Sequence, residues 1–248
     1  MAGLRLDKIL ADTGRWSRKE ARELIRRGCV TVDGEAALSA ETRYDAEQIS
    51  LAVNGESIRH ETYTYIMMNK PAGVISATND RRQKTVLDLL SPELQRRGLF
   101  PVGRLDRDTT GLLLLTNHGE LAHRLLSPAY HVEKVYLVHT LGAVNAEDCA
   151  AFEQGMLLAD GEQCMPARLT GIDGEPDCCL VTLREGKYHQ VKRMLAARGK
   201  PVLSLKRLSM GGLTLDESLG PGEYRPLTAG ETGRLFESVK SGTSPTAD

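Results

Sequence analysis

Apolar residues near the start of the chain recur at helical spacing, Leu6, Ile9 and Leu10, until Gly14 interrupts them. Ser17-Arg18-Lys19-Glu20 then reads as a capping box, in which a serine and a glutamate three residues on satisfy each other's free backbone N–H groups. A second helix is predicted from there, with Ala21, Leu24 and Ile25 as its apolar stripe and Arg18, Arg22 and Arg26 repeating every four residues on another face. Gly28 ends it, Cys29 to Val32 follows as a strand, and Asp33-Gly34 is a hairpin turn. After polar residues at 56–61 the pattern changes to strand-like alternation from Tyr63 to Met68, ending at Asn69-Lys70-Pro71-Ala72-Gly73. A domain boundary is expected at this change, dividing 1–59 from 60–240.

Beyond it, helices are predicted at Val86 to Leu90, Glu120 to Leu126 and Tyr188 to Arg198, with a last helix capped by Thr228 and Glu231. Strands are predicted at Leu112 to Thr116, Lys134 to Thr140, Leu180 to Leu183, Val202 to Leu208 and Leu213 to Leu215. Helices and strands do not alternate regularly, so a doubly wound parallel sheet is excluded and an α+β fold with a mainly antiparallel mixed sheet and flanking helices is expected. Ser241 to Asp248 is small and polar and reads as a disordered tail.

The formal net charge of -1 over 248 residues hides local contrasts. Between Arg184 and Arg207, eight Lys or Arg residues face Glu185 alone, and the segment from Ala2 to Gly34 carries eight cations against five anions. Such blocks fit contact with nucleic acid, which responds to local potential rather than to the average. Five cysteines without a Cys-x-x-Cys pair argue against a disulfide framework or a zinc site. No apolar stretch reaches membrane-spanning length and the N-terminus lacks a signal pattern, so a soluble, reduced, cytoplasmic protein is expected. A zinc deaminase signature, a dinucleotide-binding glycine motif and a phosphate-binding loop are all missing, and chemistry without cofactor or metal is expected.

One fragment concentrates the chemistry: Gly103-Arg104-Leu105-Asp106-Arg107-Asp108-Thr109-Thr110-Gly111, leading into the apolar run Leu112 to Leu115. A carboxylate flanked by arginines is held in its charged form. On spacing alone it fits a structural ion pair better than a reactive group. Arg104, two residues before Asp106, shares its face in an extended backbone and could orient the carboxylate or contact phosphate. A second block, Glu185-Gly186-Lys187-Tyr188-His189-Gln190-Val191-Lys192-Arg193-Met194, is dominated by cations, and His189, Lys192, Arg193 and Ala196 share a helical face by spacing.

Both blocks, in this order and at this separation, resemble the signature of the RsuA-type ribosomal RNA pseudouridine synthase family. The N-terminal runs Arg5-Leu6-Asp7-Lys8-Ile9-Leu10 and Gly28-Cys29-Val30-Thr31-Val32-Asp33-Gly34 resemble the S-four RNA-binding module. The resemblance implies a small RNA-binding domain joined to a pseudouridine synthase domain. It assigns Asp106 as the catalytic aspartate, Tyr136 as the ring that packs on the target base, and Lys192 as the cation paired with Asp106. Arg5, Arg18, Arg22, Arg26, Arg104 and Arg193 are its expected RNA contacts. By pattern alone the arginine stripe fits a solvated helix face equally well, and Tyr136 fits a buried strand tyrosine. Asp108 is read as turn chemistry, His189 as structural, and Tyr188 as a buried tyrosine without a role.

The implied reaction is isomerisation of one uridine to pseudouridine in ribosomal RNA, carried out on a pre-ribosomal particle by a monomeric enzyme. The ending Gly220-Pro221-Gly222-Glu223-Tyr224-Arg225-Pro226-Leu227-Thr228 looks closest to the members acting on small-subunit (16S) rRNA. A large-subunit (23S) rRNA synthase and a non-enzymatic ribosome assembly factor are the alternatives.

Overall fold

The computed structural model describes residues 3–240, and the expected tail at 241–248 lies outside the described residues. Two compact units emerge, one running to Thr64 and including Leu87–Phe100, the other made of Tyr65–Val86 and the chain from Pro101 onward.

The first unit opens with the helices Leu6–Asp12 and Arg18–Arg26. Ser17 and Glu20 form the anticipated capping box. Leu6, Ile9, Leu10, Ala21 and Ile25 pack in one core with Val30, Val32, Leu51 and Val53. Those last four belong to a small antiparallel sheet ordered Glu35–Ala36, Val30–Val32, Leu51–Val53, Glu56–Ile58. Its hairpins turn at Asp33-Gly34 and Asn54-Gly55, where all four residues take the positive φ that this tight turn requires.

The second unit is built on a mixed sheet ordered Arg168–Ile172, Glu175–Leu183, Lys134–Thr140, Val202–Met210, Thr110–Thr116, Tyr65–Lys70, Tyr224–Pro226. Every neighbouring pair on this path is antiparallel except Val202–Met210 with Thr110–Thr116. The α+β expectation with a mainly antiparallel sheet therefore holds. Tyr65–Lys70 does not alternate as the sequence pattern implies: five of its six residues are buried, because it is flanked on both edges and covered on both faces. Helices Gly119–Leu126, Ala146–Gln154, Gln190–Ala197 and Ala229–Ser238 complete the unit.

The helix expected at Tyr188 to Arg198 begins two residues later. His189 sits at φ 46°, ψ 34°, a left-handed conformation that cannot continue a right-handed helix, and it serves as the residue before the first turn. His189 therefore does not share a helical face with Lys192 and Arg193. No helix among the described residues is long and apolar enough to cross a membrane.

Candidate active site

The loop bearing Asp106 is held from beneath by the segment 70–76. Lys70, the last residue of its strand, is fully buried, and its ammonium donates to the carbonyl oxygens of Pro71 (3.0 Å), Asp106 (3.0 Å), Thr109 (2.9 Å) and Arg107 (3.4 Å). Burial lowers the Lys70 pKa to about 8, while the nearby Asp108 and Asp106 oppose that shift. The Ser76 hydroxyl donates to the Leu105 carbonyl and accepts from the Leu105 N–H, both at 3.0 Å. Gly73 N–H donates to the Arg107 carbonyl (2.8 Å), and the Arg107 guanidinium donates back to Gly73 (3.2 Å). Leu105 itself is buried, so one apolar anchor and several backbone bonds fix the direction of the neighbouring Asp106 side chain. The only sequence trace of this support is the Asn-Lys-Pro-Ala-Gly turn closing an apolar strand.

At the loop's exit Gly111 has φ 96°, and a Cβ there would come within 2.2 Å of the Arg207 carbonyl oxygen. Glycine is what lets this loop approach Val202–Met210 closely enough for the parallel pairing Gly111 with Arg207.

From the other side comes the basic block. Lys192 Nζ lies 3.1 Å from Asp106 Oδ2 and 2.6 Å from Asp108 Oδ1, and His189 Nε2 lies 3.3 Å from Asp106 Oδ1. Both oxygens of the Asp106 carboxylate thus face a nitrogen. Burial of Lys192 lowers its pKa, but the bonds to Asp108 and Asp106 outweigh that and raise it, so the ammonium persists. The Lys192 ammonium in turn holds the Asp108 carboxyl below its usual range. Asp108 is more than turn chemistry: it shares the cation of Asp106.

The turn that presents His189 is itself braced. The buried Glu185 accepts from Gln190 Nε2 (2.6 Å) and from the Met165 N–H (2.8 Å), and Gln190 Oε1 accepts from the Lys187 N–H (3.0 Å). Glu185, Lys187 and Gln190 of the basic block thus form the scaffold of this turn. Tyr188 departs from its expected burial: it is 74% exposed, lies outside any strand, and stacks on the His189 ring with centroids 3.9 Å apart.

Between the two blocks lies a pocket lined by Arg104, Asp106, Tyr136, Leu183, His189 and Leu205, among others. Tyr136 sits in the middle of Lys134–Thr140, opposite Val181 on one side and Arg207 on the other, nearly buried but open to this pocket. The pocket combines an aromatic wall, apolar side chains, a carboxylate and cations, a set suited to a planar base attached to an anionic backbone.

The expected RNA-contacting arginines are placed as follows. Arg104 is exposed at the pocket rim. Arg193 is engaged by Asp160 and by Glu162 (2.6 Å). Arg5, Arg18 and Arg22 converge on the fully buried carboxylate of Asp7 at 3.1, 3.1 and 2.8 Å. Burial would raise the Asp7 pKa, but the three guanidiniums overcome this and hold it well below the usual carboxylate range. Arg26 pairs with the exposed Glu23. The stripe is therefore fastened at one end and solvated at the other. No cluster of His, Cys, Asp and Glu suited to a metal ion occurs among the described residues.

Comparison with known proteins places these features together. Residues 64–197 match the model of the RNA pseudouridylate synthase family, and residues 4–49 match the S4 domain. An uncharacterized RNA pseudouridine synthase of Bacillus subtilis is 48% identical, covering 94% of this chain and 99% of the relative. The ribosomal small subunit pseudouridine synthase A of Vibrio cholerae is 41% identical over 94% of this chain and 100% of its own, and that of Escherichia coli 43% over 92% and 98%. A crystal structure of a pseudouridylate synthase, 39% identical, superposes with a TM-score of 0.66 and covers 94% of this chain and 99% of that one.

Proposed function

The chain belongs to the RNA pseudouridylate synthase family and is an RNA pseudouridine synthase with an S4 domain, and on that premise we propose that it isomerises one uridine of 16S ribosomal RNA. The target is supported by relatives named for the ribosomal small subunit, at 41% and 43% identity over nearly their full length. The carrying observation for the site is the Asp106 carboxylate, held between Lys192 and His189 at the edge of the pocket walled by Tyr136.

In the reaction we infer, the target uridine leaves its stack and enters this pocket, with its ring against Tyr136. Asp106 acts on the nucleoside, as a nucleophile toward sugar or base or as a base at the ribose. Each role needs an ionised carboxylate, and the Lys192 ammonium at 3.1 Å balances that charge. The bond from ribose to ring nitrogen breaks, the uracil turns within the pocket, and a carbon–carbon bond to its C5 forms. The hydrogen displaced from C5 is replaced by one on the freed nitrogen, so the product is an isomer and no water or cofactor is consumed. Arg104 and Arg193 contact the backbone around the extruded nucleotide, and Arg5, Arg18, Arg22 and Arg26 bind phosphates as part of an RNA-binding domain spanning 1–59, with 60–240 as the catalytic domain. The enzyme works in the cytoplasm as a monomer on a pre-ribosomal particle.

Pseudouridine mapping on ribosomal RNA from a deletion strain tests this. Loss of one 16S site, restored by the intact gene and not by an Asp106→Asn copy, is the expected result. Loss at a 23S site would move the target to the large subunit, and no loss in either rRNA would overturn the proposal.

A further inference from the structure

The exposed Tyr188 has no place in the chemistry above, yet it is held with unusual care. Its ring lies face to face with His189, 3.9 Å between centroids and 16° between planes, and yet the residue is 74% exposed. His189 is fixed in turn by a left-handed backbone and by its approach to Asp106 at 3.3 Å. The Tyr188 carbonyl accepts from Arg193 at 3.0 Å, and the adjacent turn is braced through Gln190 and the buried Glu185. An aromatic ring with one face on a rigid neighbour and the other in water is a preorganised stacking surface: little conformational entropy remains to be lost when a second planar group covers it.

We propose that Tyr188, stacked on His189, is a subsite for a nucleobase next to the target uridine in the same RNA strand. The inference rests on the proposed reaction at Asp106. Extruding one uridine breaks its stacking with both neighbours and leaves one of their faces uncovered. His189 touches Asp106 on one side and Tyr188 on the other, so a base on the open face of Tyr188 sits a short step along the strand from the reacting nucleotide. Such stacking tolerates any base, because every base has a π-face, so this subsite grips the strand and does not read its sequence.

The test uses the full-length enzyme and a 16S rRNA fragment carrying its mapped uridine, with affinity and single-turnover rate measured separately. Tyr188→Ala and Tyr188→Leu are expected to weaken binding about 5- to 150-fold while the rate at saturating RNA changes little. Tyr188→Phe, which keeps the ring, should bind like the parent. In fragments with an abasic residue immediately before or after the target, one position should weaken the parent and leave Tyr188→Ala no weaker than the parent. Equal affinity in Tyr188→Ala and parent would overturn the subsite, as would a Tyr188→Phe defect matching that of Tyr188→Ala. An additional loss in Tyr188→Ala on both abasic fragments would also overturn it. A parent enzyme that forms no pseudouridine in any rRNA would overturn the reaction itself, an outcome distinct from these.

Discussion

At the scale of single residues the proposed reaction gives Asp106, Lys192 and Tyr136 the parts of reactive group, charge partner and platform, and each should fail in its own way. Asp106→Asn keeps shape and some hydrogen bonding but removes the charge. Turnover is expected to fall by about 10²- to 10⁴-fold, with thermal stability and RNA affinity close to the parent. Activity within a few-fold of the parent would exclude Asp106 as the acting group. Lys192→Met leaves Asp106 and Asp108 as two carboxylates without their shared cation. Its rate should drop and its pH profile move to higher pH, since like charges at one site favour protonation, and an unchanged profile would remove the pairing from the mechanism. Tyr136→Leu tests the platform without hollowing the sheet, because it replaces a nearly buried ring with a side chain that still packs. About 1 to 3 kcal/mol of base stacking should be lost, seen as weaker capture of the uridine, while Tyr136→Phe should stay near the parent. Of this site, Asp106 and Lys192 could be read from the motifs. His189 and Tyr188 could not, because helical spacing in the sequence runs on through His189, whose backbone is left-handed.

At the scale of elements, what the sequence revealed was what neighbouring residues determine. The capping boxes at Ser17 with Glu20 and Thr228 with Glu231 form as expected, because their partners lie three residues apart. The helix Ala146–Gln154 has the same device in Asn145 and Asp148 but little apolar periodicity to mark it in the sequence. The strands Arg168–Ile172 and Tyr224–Pro226 end the sheet path, where glycine and proline dilute the strand pattern and pairing with a distant partner supplies the order. The arginine helix shows the same limit, since only the fold brings Arg5, Arg18 and Arg22 onto Asp7. This yields a paired prediction. Arg26→Gln should change stability by less than about 0.5 kcal/mol, because its exposed partner is worth little. If Arg26 meets a phosphate, the slope of log affinity against log salt should shrink by about 0.7 to 0.9. Arg22→Gln should shrink the slope similarly but also destabilise the fold by about 1 to 2 kcal/mol, since a buried carboxylate loses a charged hydrogen bond. Identical stability in the two variants would show that the Arg22–Asp7 bond contributes nothing to folding.

At the scale of the whole molecule, segment charge proved a poor guide to free charge. Acids far away in sequence meet the basic block: Glu133 pairs with Arg184, Asp148 with Arg198, Glu162 with Lys187 and Arg193, and Asp106 and Asp108 with Lys192. Buried titratable groups then set the response to alkali. Burial lowers the pKa of both Lys70 and Lys134 to about 8 from an ordinary 10.5, so above pH 8 the unfolded chain binds more protons than the folded one, and stability rises with pH. Burial also raises the thiols of Cys149, Cys164, Cys178 and Cys179, the last to about 11. Their contribution is present below the ordinary thiol value of 9 and is lost as pH rises through it, which opposes the lysines. Between pH 8 and 9 each lysine adds roughly 1 kcal/mol while the thiols, beginning to ionise in the unfolded chain, take part of it back, so stability in urea should rise, and by less in Lys134→Met. Activity should move the other way. A neutral Lys70 amine has two N–H groups for the four carbonyls it now holds, so the loop carrying Asp106 loosens as the proton leaves. Urea midpoints and single-turnover rates measured from pH 7 to 9 on one preparation should therefore diverge. A rate that holds steady while stability climbs would show that the Asp106 loop does not depend on the Lys70 proton, and a parent stability that falls across the window would refute the assigned lysine shifts.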